Sequence, residues 1–444
     1  PSRWFLERAS KLEGTPVFSS NLPQLSGRPW ITVITSMRHS LETAQNSVHA
    51  DVNDYNLGRL NAWKSAGLRV DDHPLSGDGV LADSMRLGGA RFGRQFTEWD
   101  GNLSAASANF DNMLTGRPLS PTSLERWAKC PFSYFLGSVL RLSAEDSPED
   151  IYEIPAMERG LLVHEILEEF IDAVSKQGSM PKPQEEWSDP QRAELLKIAE
   201  KHFLDAEARG ITGKIVMWQI ARDEILIDLE AFLDADSQVR QQFDVSPMLS
   251  EAEFGISPQG WQPADFALPD GTRIAFRGKI DRVDADNSGK RALVLDYKTG
   301  GSRSYSKLKD DPIDRGQHLQ LAIYSLAARQ ALGDDTEVSA AYWFVTSANK
   351  FELLPSPAVN IGDESVMERF SEGMSTIVGG IRQGLFPANP GDPGWGGFAN
   401  CRFCDFKTLC PSRRDVQWQR KSGATELADY VKLSEDELNS QQVD

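Results

Sequence analysis

The sequence predicts an α/β fold, a small β-sheet with helices before and after it. Three observations point there: helical apolar spacing through residues 160–235, strand-like runs through 251–298, and a helix followed by a strand at 317–346. In chain order, Arg28 to Thr35 reads as a short strand, and Asp100 to Gly116 is rich in small polar residues. Ser120-Pro121-Thr122-Ser123-Leu124-Glu125 is a helix start, with Ser120 as cap, Pro121 in the first helical position and Glu125 in the acid-favouring first turn. Val163, Ile166, Leu167, Phe170 and Ile171 make one apolar stripe on a helix over 160–174, and residues 191–208 and 217–235 give two more amphipathic helices. Acidic, Pro-bearing stretches at 143–150 and 177–190 read as exposed loops. Strands follow at Glu251–Ile256, Arg273–Asp284 and Arg291–Lys298, then a helix over 317–331 and a strand over 339–346. Pro387 to Phe398 is loop, and the acidic, polar residues 422–444 read as a mobile tail.

Composition narrows the function. The 444 residues carry 47 Lys and Arg against 65 Asp and Glu, a net charge of −18, which argues against whole-surface attraction to nucleic acid but leaves room for a local basic groove. No apolar run reaches the roughly 18 residues of a membrane span, and nothing near Pro1 has a signal-peptide layout, so a cytoplasmic location is expected. A start without Met reads as a fragment or processed product. Four cysteines are too few for a secreted disulfide scaffold and point to metal or redox chemistry. No Gly-rich loop ending in Gly-Lys-Ser/Thr is present, so ATP hydrolysis by that route is not expected.

Asp286-Asn287-Ser288-Gly289 is a turn signal between two strand-like runs. A hairpin symmetric about Ser288 and Gly289 sets Asp281 opposite Asp296, with Cβ atoms roughly 5 Å apart. Lys298 lies two residues beyond Asp296 and so shares its face. The run Ala292-Leu293-Val294-Leu295 is apolar enough to be buried, which makes charges at its end costly unless they are used. Paired carboxylates suit Mg²⁺ or Mn²⁺, which can polarise a phosphodiester and activate water, with Lys298 beside it. A solvated hairpin with one surface salt bridge is the bland alternative. His164 beside its helix stripe and Gln320 with Tyr324, four residues apart, have equally ordinary readings as a core-edge histidine and a pair that merely shares one helix face.

Taken together, Gly278-Lys279-Ile280-Asp281-Arg282-Val283-Asp284 followed by Asp296-Tyr297-Lys298-Thr299-Gly300 resembles the PD-(D/E)xK nucleases of the RecB-like branch. Gly160-Leu161-Leu162-Val163-His164 resembles that branch's first motif, and Gln320-Leu321-Ala322-Ile323-Tyr324 its Q-x-x-x-Y helix motif. The resemblance implies a restriction-endonuclease-like core, a small mixed sheet flanked by helices, with helical additions. It implies metal binding by His164, Asp281 and Asp296, catalytic assistance by Lys298, and support of the site by Gln320 and Tyr324.

Cys401-x-x-Cys404-x5-Cys410 and the distant Cys130 admit three readings from their residues: a redox pair, a zinc site, or four-thiolate ligation of an iron–sulfur cluster. The spacing resembles that of AddB-type helicase–nuclease subunits, which implies that Cys130, Cys401, Cys404 and Cys410 bind a [4Fe–4S] cluster stapling the ends of the nuclease domain. The domains then expected are an N-terminal segment 1–117, the remnant of a helicase-like region; a nuclease domain 118–418; and the tail 419–444. The implied function is a DNA single-strand exonuclease within a helicase–nuclease of double-strand-break repair and recombination. A cluster-stabilised DNA-binding module that does not cut, and a zinc-stapled structural subunit, are the rival readings. Arg303, Lys307, Lys309 and Arg315, with Arg402, Lys407, Arg413, Arg414, Arg420 and Lys421, are candidate phosphate contacts, and Trp395 or Trp418 a candidate base-stacking ring.

Overall fold

A computed structural model describes residues 1–31, 33–34, 36, 39–42, 51–77, 79–144 and 151–435. The chain forms two compact units, Pro1–Arg91 and Phe92–Asp444. The first unit carries helices α1 (Arg3–Glu13), α2 (Val52–Ser65) and most of α3 (Gly79–Phe92). The strand expected at 28–35 does not form among its described residues. Arg28 and Trp30 turn back instead, and both bond to Glu13 at the end of α1.

The second unit begins with α4 (Ser107–Thr115) and α5 (Pro121–Lys129). Ser120 caps α5 as expected, accepting from the Ser123 N–H at 3.3 Å. Helices α6 (Ala156–Lys176), α7 (Asp189–Arg209) and α8 (Ile215–Phe243) follow, each longer than its apolar stripe suggests. The loop expected at 143–150 lies mostly outside the described residues.

Five strands make one mixed sheet in the order β1-β4-β5-β6-β7: β1 (Ser246–Phe254), β4 (Gly278–Ala285), β5 (Arg291–Lys298), β6 (Glu337–Phe344) and β7 (Leu353–Val359). Only β5 and β6 run parallel, joined through α9 (Gln320–Leu332). The single strand expected over 273–284 is broken at Arg277, whose N–H donates to the Leu119 carbonyl at 2.9 Å. Residues 273–276 therefore leave the main sheet as β3, pairing with β2 (Ala264–Ala267).

Helices cover both faces of the sheet, which is why β5 is buried from Ala292 to Tyr297 without alternation. Leu293, Leu295 and Tyr297 face α6 and α8, packing in one core with Ile166, Leu167, Phe170 and Phe232. Ala292 and Val294 face the other way, into a core shared with Leu321 of α9 and with Phe370 and Ile377 of α10 (Glu364–Arg382). The expected loop 387–398 closes on a two-residue ladder, Pro393–Gly394 against Gly397–Phe398. After α11 (Arg414–Lys421), residues 422–435 are not a free tail: α12 (Ala428–Ser434) buries Tyr430 and Leu433 against Trp127 and its neighbours. Among the described residues no helix is long and apolar enough to cross a membrane.

Candidate active site and cysteine pocket

The β4–β5 hairpin has the register its turn residues dictate. Gly289 adopts φ +68°, Asp286 accepts from the N–H groups of Lys290 and Arg291, and the ladder pairs Arg282 with Leu295. One step beyond the paired ladder lie Asp281 and Asp296. The Tyr297 N–H donates to Asp281 Oδ2 at 2.6 Å, fixing that carboxylate, while Oδ1 faces His164 Nδ1 of α6 at 3.4 Å. Asp296 is buried and its Oδ2 is in contact with Lys298 Nζ. The ammonium also reaches Gln320 Oε1 at 3.4 Å and lies 4.9 Å above the Tyr342 ring. Gln320 Nε2 in turn donates to the Tyr324 hydroxyl at 3.4 Å. The six residues singled out in the sequence thus fall into two groups, His164 with Asp281 and Asp296 with Lys298, Gln320 and Tyr324, linked through the Tyr297 backbone.

Two motif glycines are explained by close approach. A Cβ on Gly278 would meet the Phe254 ring at 2.8 Å and Tyr324 at 3.1 Å. On Gly160 it would meet Thr299 Oγ1 at 3.2 Å, a tight contact where α6 brings His164 to the end of β5.

The electrostatics are those of charges confined in a largely buried site. Burial pushes the Asp296 carboxyl up to about 6, with Asp281 adding to the shift and Lys298 opposing it. Burial also disfavours the charged Lys298, yet Asp296 wins and holds the ammonium well above its usual range. For His164 burial is likewise outweighed, here by the hydrogen bond and charge of Asp281, and its pKa rises. Behind the hairpin a second ionic network is fully buried. Arg282 grips Asp284 at 2.5 and 2.6 Å and reaches Asp236 of α8 at 2.6 Å, and Asp236 also binds Arg240 and the Trp187 indole. Two arginines and two aspartates balance there, as burial requires.

The structure adds a residue the sequence reading missed. Glu251 of β1 stands across from Asp281, between the Ser250–Arg282 and Ala252–Ile280 pairs. Ligand atoms of His164, Glu251 and Asp281 all lie within 4.8 Å of one another. Burial pushes Glu251 up to about 7, against the pull of Lys279 at 2.5 Å. A single Glu in a strand-like run carries no signal of this kind; only the β1–β4 register reveals it.

The four cysteines, none in a disulfide, line a single pocket with Phe132, Asn389, Pro390 and Phe406. Cys130 ends α5, and burial pushes its thiol up to about 12. Asn400 Nδ2 donates to the Lys129 carbonyl at 2.6 Å, tying the Cys401 loop to the turn that carries Cys130. Three of the expected DNA contacts are engaged elsewhere. Lys421 is buried against Asp100 at 2.8 Å, and Trp418 packs edge-on against Tyr430. Arg315 likewise binds Asp314 and the Ser434 carbonyl. Trp395 is 91% exposed, with the Arg402 guanidinium 5.8 Å from its ring centre.

Comparison with known proteins agrees with this geometry. The model of the "PD-(D/E)XK nuclease superfamily" matches residues 118–411. Curated relatives named as the B-type subunit of an ATP-dependent helicase/deoxyribonuclease include one from Pelotomaculum thermopropionicum, 30% identical over 222 residues, 48% of this chain and 18% of that protein. The one from Symbiobacterium thermophilum is 29% identical over 218 residues, 47% and 17%. The one from Clostridium perfringens strain 13 is 26% identical over 249 residues, 54% and 20%. The chain therefore spans about a fifth of the length of the relatives it matches. With the matched region holding the hairpin, the histidine helix and the Gln/Tyr helix, the chain belongs to the PD-(D/E)XK nuclease superfamily.

Proposed function

We propose that this chain is the nuclease part of a helicase–nuclease, a divalent-metal-dependent deoxyribonuclease that degrades single-stranded DNA from ends in double-strand-break repair and recombination. The observation that carries the reading is the meeting of His164, Asp281, Asp296 and Lys298 at the end of β4 and β5. Nucleases of this superfamily generally use divalent metal ions, and a donor set of carboxylates with one imidazole fits a hard cation such as Mg²⁺ or Mn²⁺. When bound, the cation supplies Lewis acidity that polarises the phosphodiester. Asp281 and Asp296 would hold it, with His164 completing the donor set. Lys298, kept protonated by Asp296 and aimed by Gln320, offsets the charge that develops on the scissile phosphate. The buried Asp296 and the fixed Asp281 keep these groups pre-oriented, so little reorganisation is needed at the reacting phosphate.

The cysteine pocket supports a [4Fe–4S] cluster held by Cys130, Cys401, Cys404 and Cys410. DNA is the proposed substrate, a helicase subunit the proposed partner and the cytoplasm the proposed location.

The test is digestion of end-labelled single- and double-stranded DNA by anaerobically purified protein with and without Mg²⁺. Degradation is expected only with the metal, and Asp296→Ala and Lys298→Ala are expected to abolish it with fold and visible absorption intact. Full activity in either variant refutes the reading. A colourless protein free of iron refutes the cluster.

A further inference from the structure

We propose that Tyr342 is a positioning residue for Lys298, its ring face forming a seat that keeps the ammonium at the reacting phosphate. The inference rests on the role given to Lys298 above and adds a residue from the neighbouring strand that none of the motifs contains. The sheet register puts it there. In the parallel pairing of β5 with β6, Tyr342 lies beside Asp296 and Phe344 beside Lys298, so all four side chains share one face of the sheet. Lys298 Nζ lies 4.9 Å from the centre of the Tyr342 ring, inside the roughly 6 Å range of a cation–π contact.

The surroundings of the ammonium give this contact its weight. The Lys298 side chain is only 22% exposed, and a charge so placed needs neighbours that favour it. Asp296 is the first of them, but its carboxylate is also a proposed cation ligand, and its charge is then shared. Two groups are left to hold the ammonium: Gln320 Oε1 at 3.4 Å and the Tyr342 ring. That ring is fully buried. Tyr305 meets it at 4.8 Å and 66°, and His318 at 5.9 Å and 69°, so neither is stacked on it and both restrain it. A ring held this way cannot follow a drifting side chain, so it fixes Lys298 rather than moving with it. The hydroxyl has a different standing from the face. It is buried and has no hydrogen-bond partner among the described residues, so folding gains nothing from it. Tyr342→Phe therefore removes the hydroxyl and leaves intact the part of the residue assigned here.

The experiment replaces Tyr342 in the full chain by phenylalanine, then by phenylalanines carrying one, two and three ring fluorines. Fluorination weakens the attraction of the ring face for a cation while nearly keeping the ring's shape. Each protein digests a single-stranded oligonucleotide with Mg²⁺. Tyr342→Phe is expected to keep kcat within about twofold, and the fluorinated series to lower it stepwise to about a tenth, with KM unchanged. A second readout needs neither metal nor DNA. In protein carrying ¹³C-labelled lysine, the Lys298 ε-methylene signal, assigned by its loss in Lys298→Met, is expected to be shifted upfield by the ring current. The shift should survive in Tyr342→Phe and vanish in Tyr342→Leu. A flat fluorinated series, or an unshifted signal in wild type, overturns the proposal. Because fluorination keeps the packing, that series stands even if Tyr342→Leu folds poorly. Lys298→Ala separates the two readings. If it is inactive while the fluorinated series is flat, Tyr342 alone is wrongly assigned. If it is fully active, the nuclease reading fails and this proposal with it.

Discussion

Gly278 sits where two aromatic rings leave no room for a methyl group, and the site depends on that crowding. Phe254 of β1 and Tyr324 of α9 close over it, and Tyr324 is the residue that backs Gln320. Gly278→Ala is therefore expected to cost about 1–3 kcal/mol by overpacking, measured as a lower urea midpoint at constant slope. It should also reduce turnover, because Tyr324 must shift. The glycine is legible in the sequence as a letter three places before Asp281, but its cause is not, since the rings come from 24 residues before and 46 after. Glu251 was less legible still. Nothing in Ser250-Glu251-Ala252 announces a left-handed residue, and its partner Asp281 arrives only through strand pairing. Asp281, Asp296 and Lys298 were readable because a short hairpin fixes register locally, without help from the rest of the fold.

Among the helices and strands, the most informative link is between α5 and α9. Glu125 reads in sequence as an acid in the first turn of its own helix. In the structure it is buried and caps a different one, accepting from the N–H groups of Leu319 and Gln320 at 2.7 and 3.2 Å. Burial raises its pKa against the pull of those two donors, and the first turn of α9 is pinned as a result. Glu125→Ala should remove about 1–2 kcal/mol of stability, the range for a lost helix cap. It should also lower kcat more than it raises KM, since Gln320 then holds Lys298 less firmly. Glu125→Gln retains a carbonyl acceptor and should recover part of both. Helix identities were legible from apolar spacing throughout. Their ends were not, because a cap supplied 194 residues away leaves no local signature.

For the molecule entire, acidity of the medium is a direct probe of the packed interior. His318 lies under Tyr305 and Tyr342, and burial, with Lys129 and Lys298 nearby, lowers its pKa from 6.5 to about 4 against the pull of a hydrogen bond with the Ser304 backbone. A histidine kept neutral by the fold costs nothing above pH 6.5. Below it the unfolded chain takes up the proton first, so stability should fall between pH 6.5 and about 4, by up to about 3 kcal/mol from this residue. Urea unfolding across that interval should show the slope, and His318→Asn should flatten it. The C-terminal segment departs from its sequence reading for a reason that only the assembled core supplies. Composition marks 422–444 as acidic and polar, but Leu427, Tyr430 and Leu433 are enough to fold its first part onto α5 and α10.

Helix α5 ends in Cys130 and, little more than one turn earlier, presents Glu125 to α9. A rod of nine residues cannot tilt at one end and stay fixed at the other. If the thiolate pocket holds the proposed cluster, its oxidative loss should accordingly blunt phosphodiester cleavage well before the protein melts. The damage would register as slower turnover in aerated samples whose secondary structure is still whole.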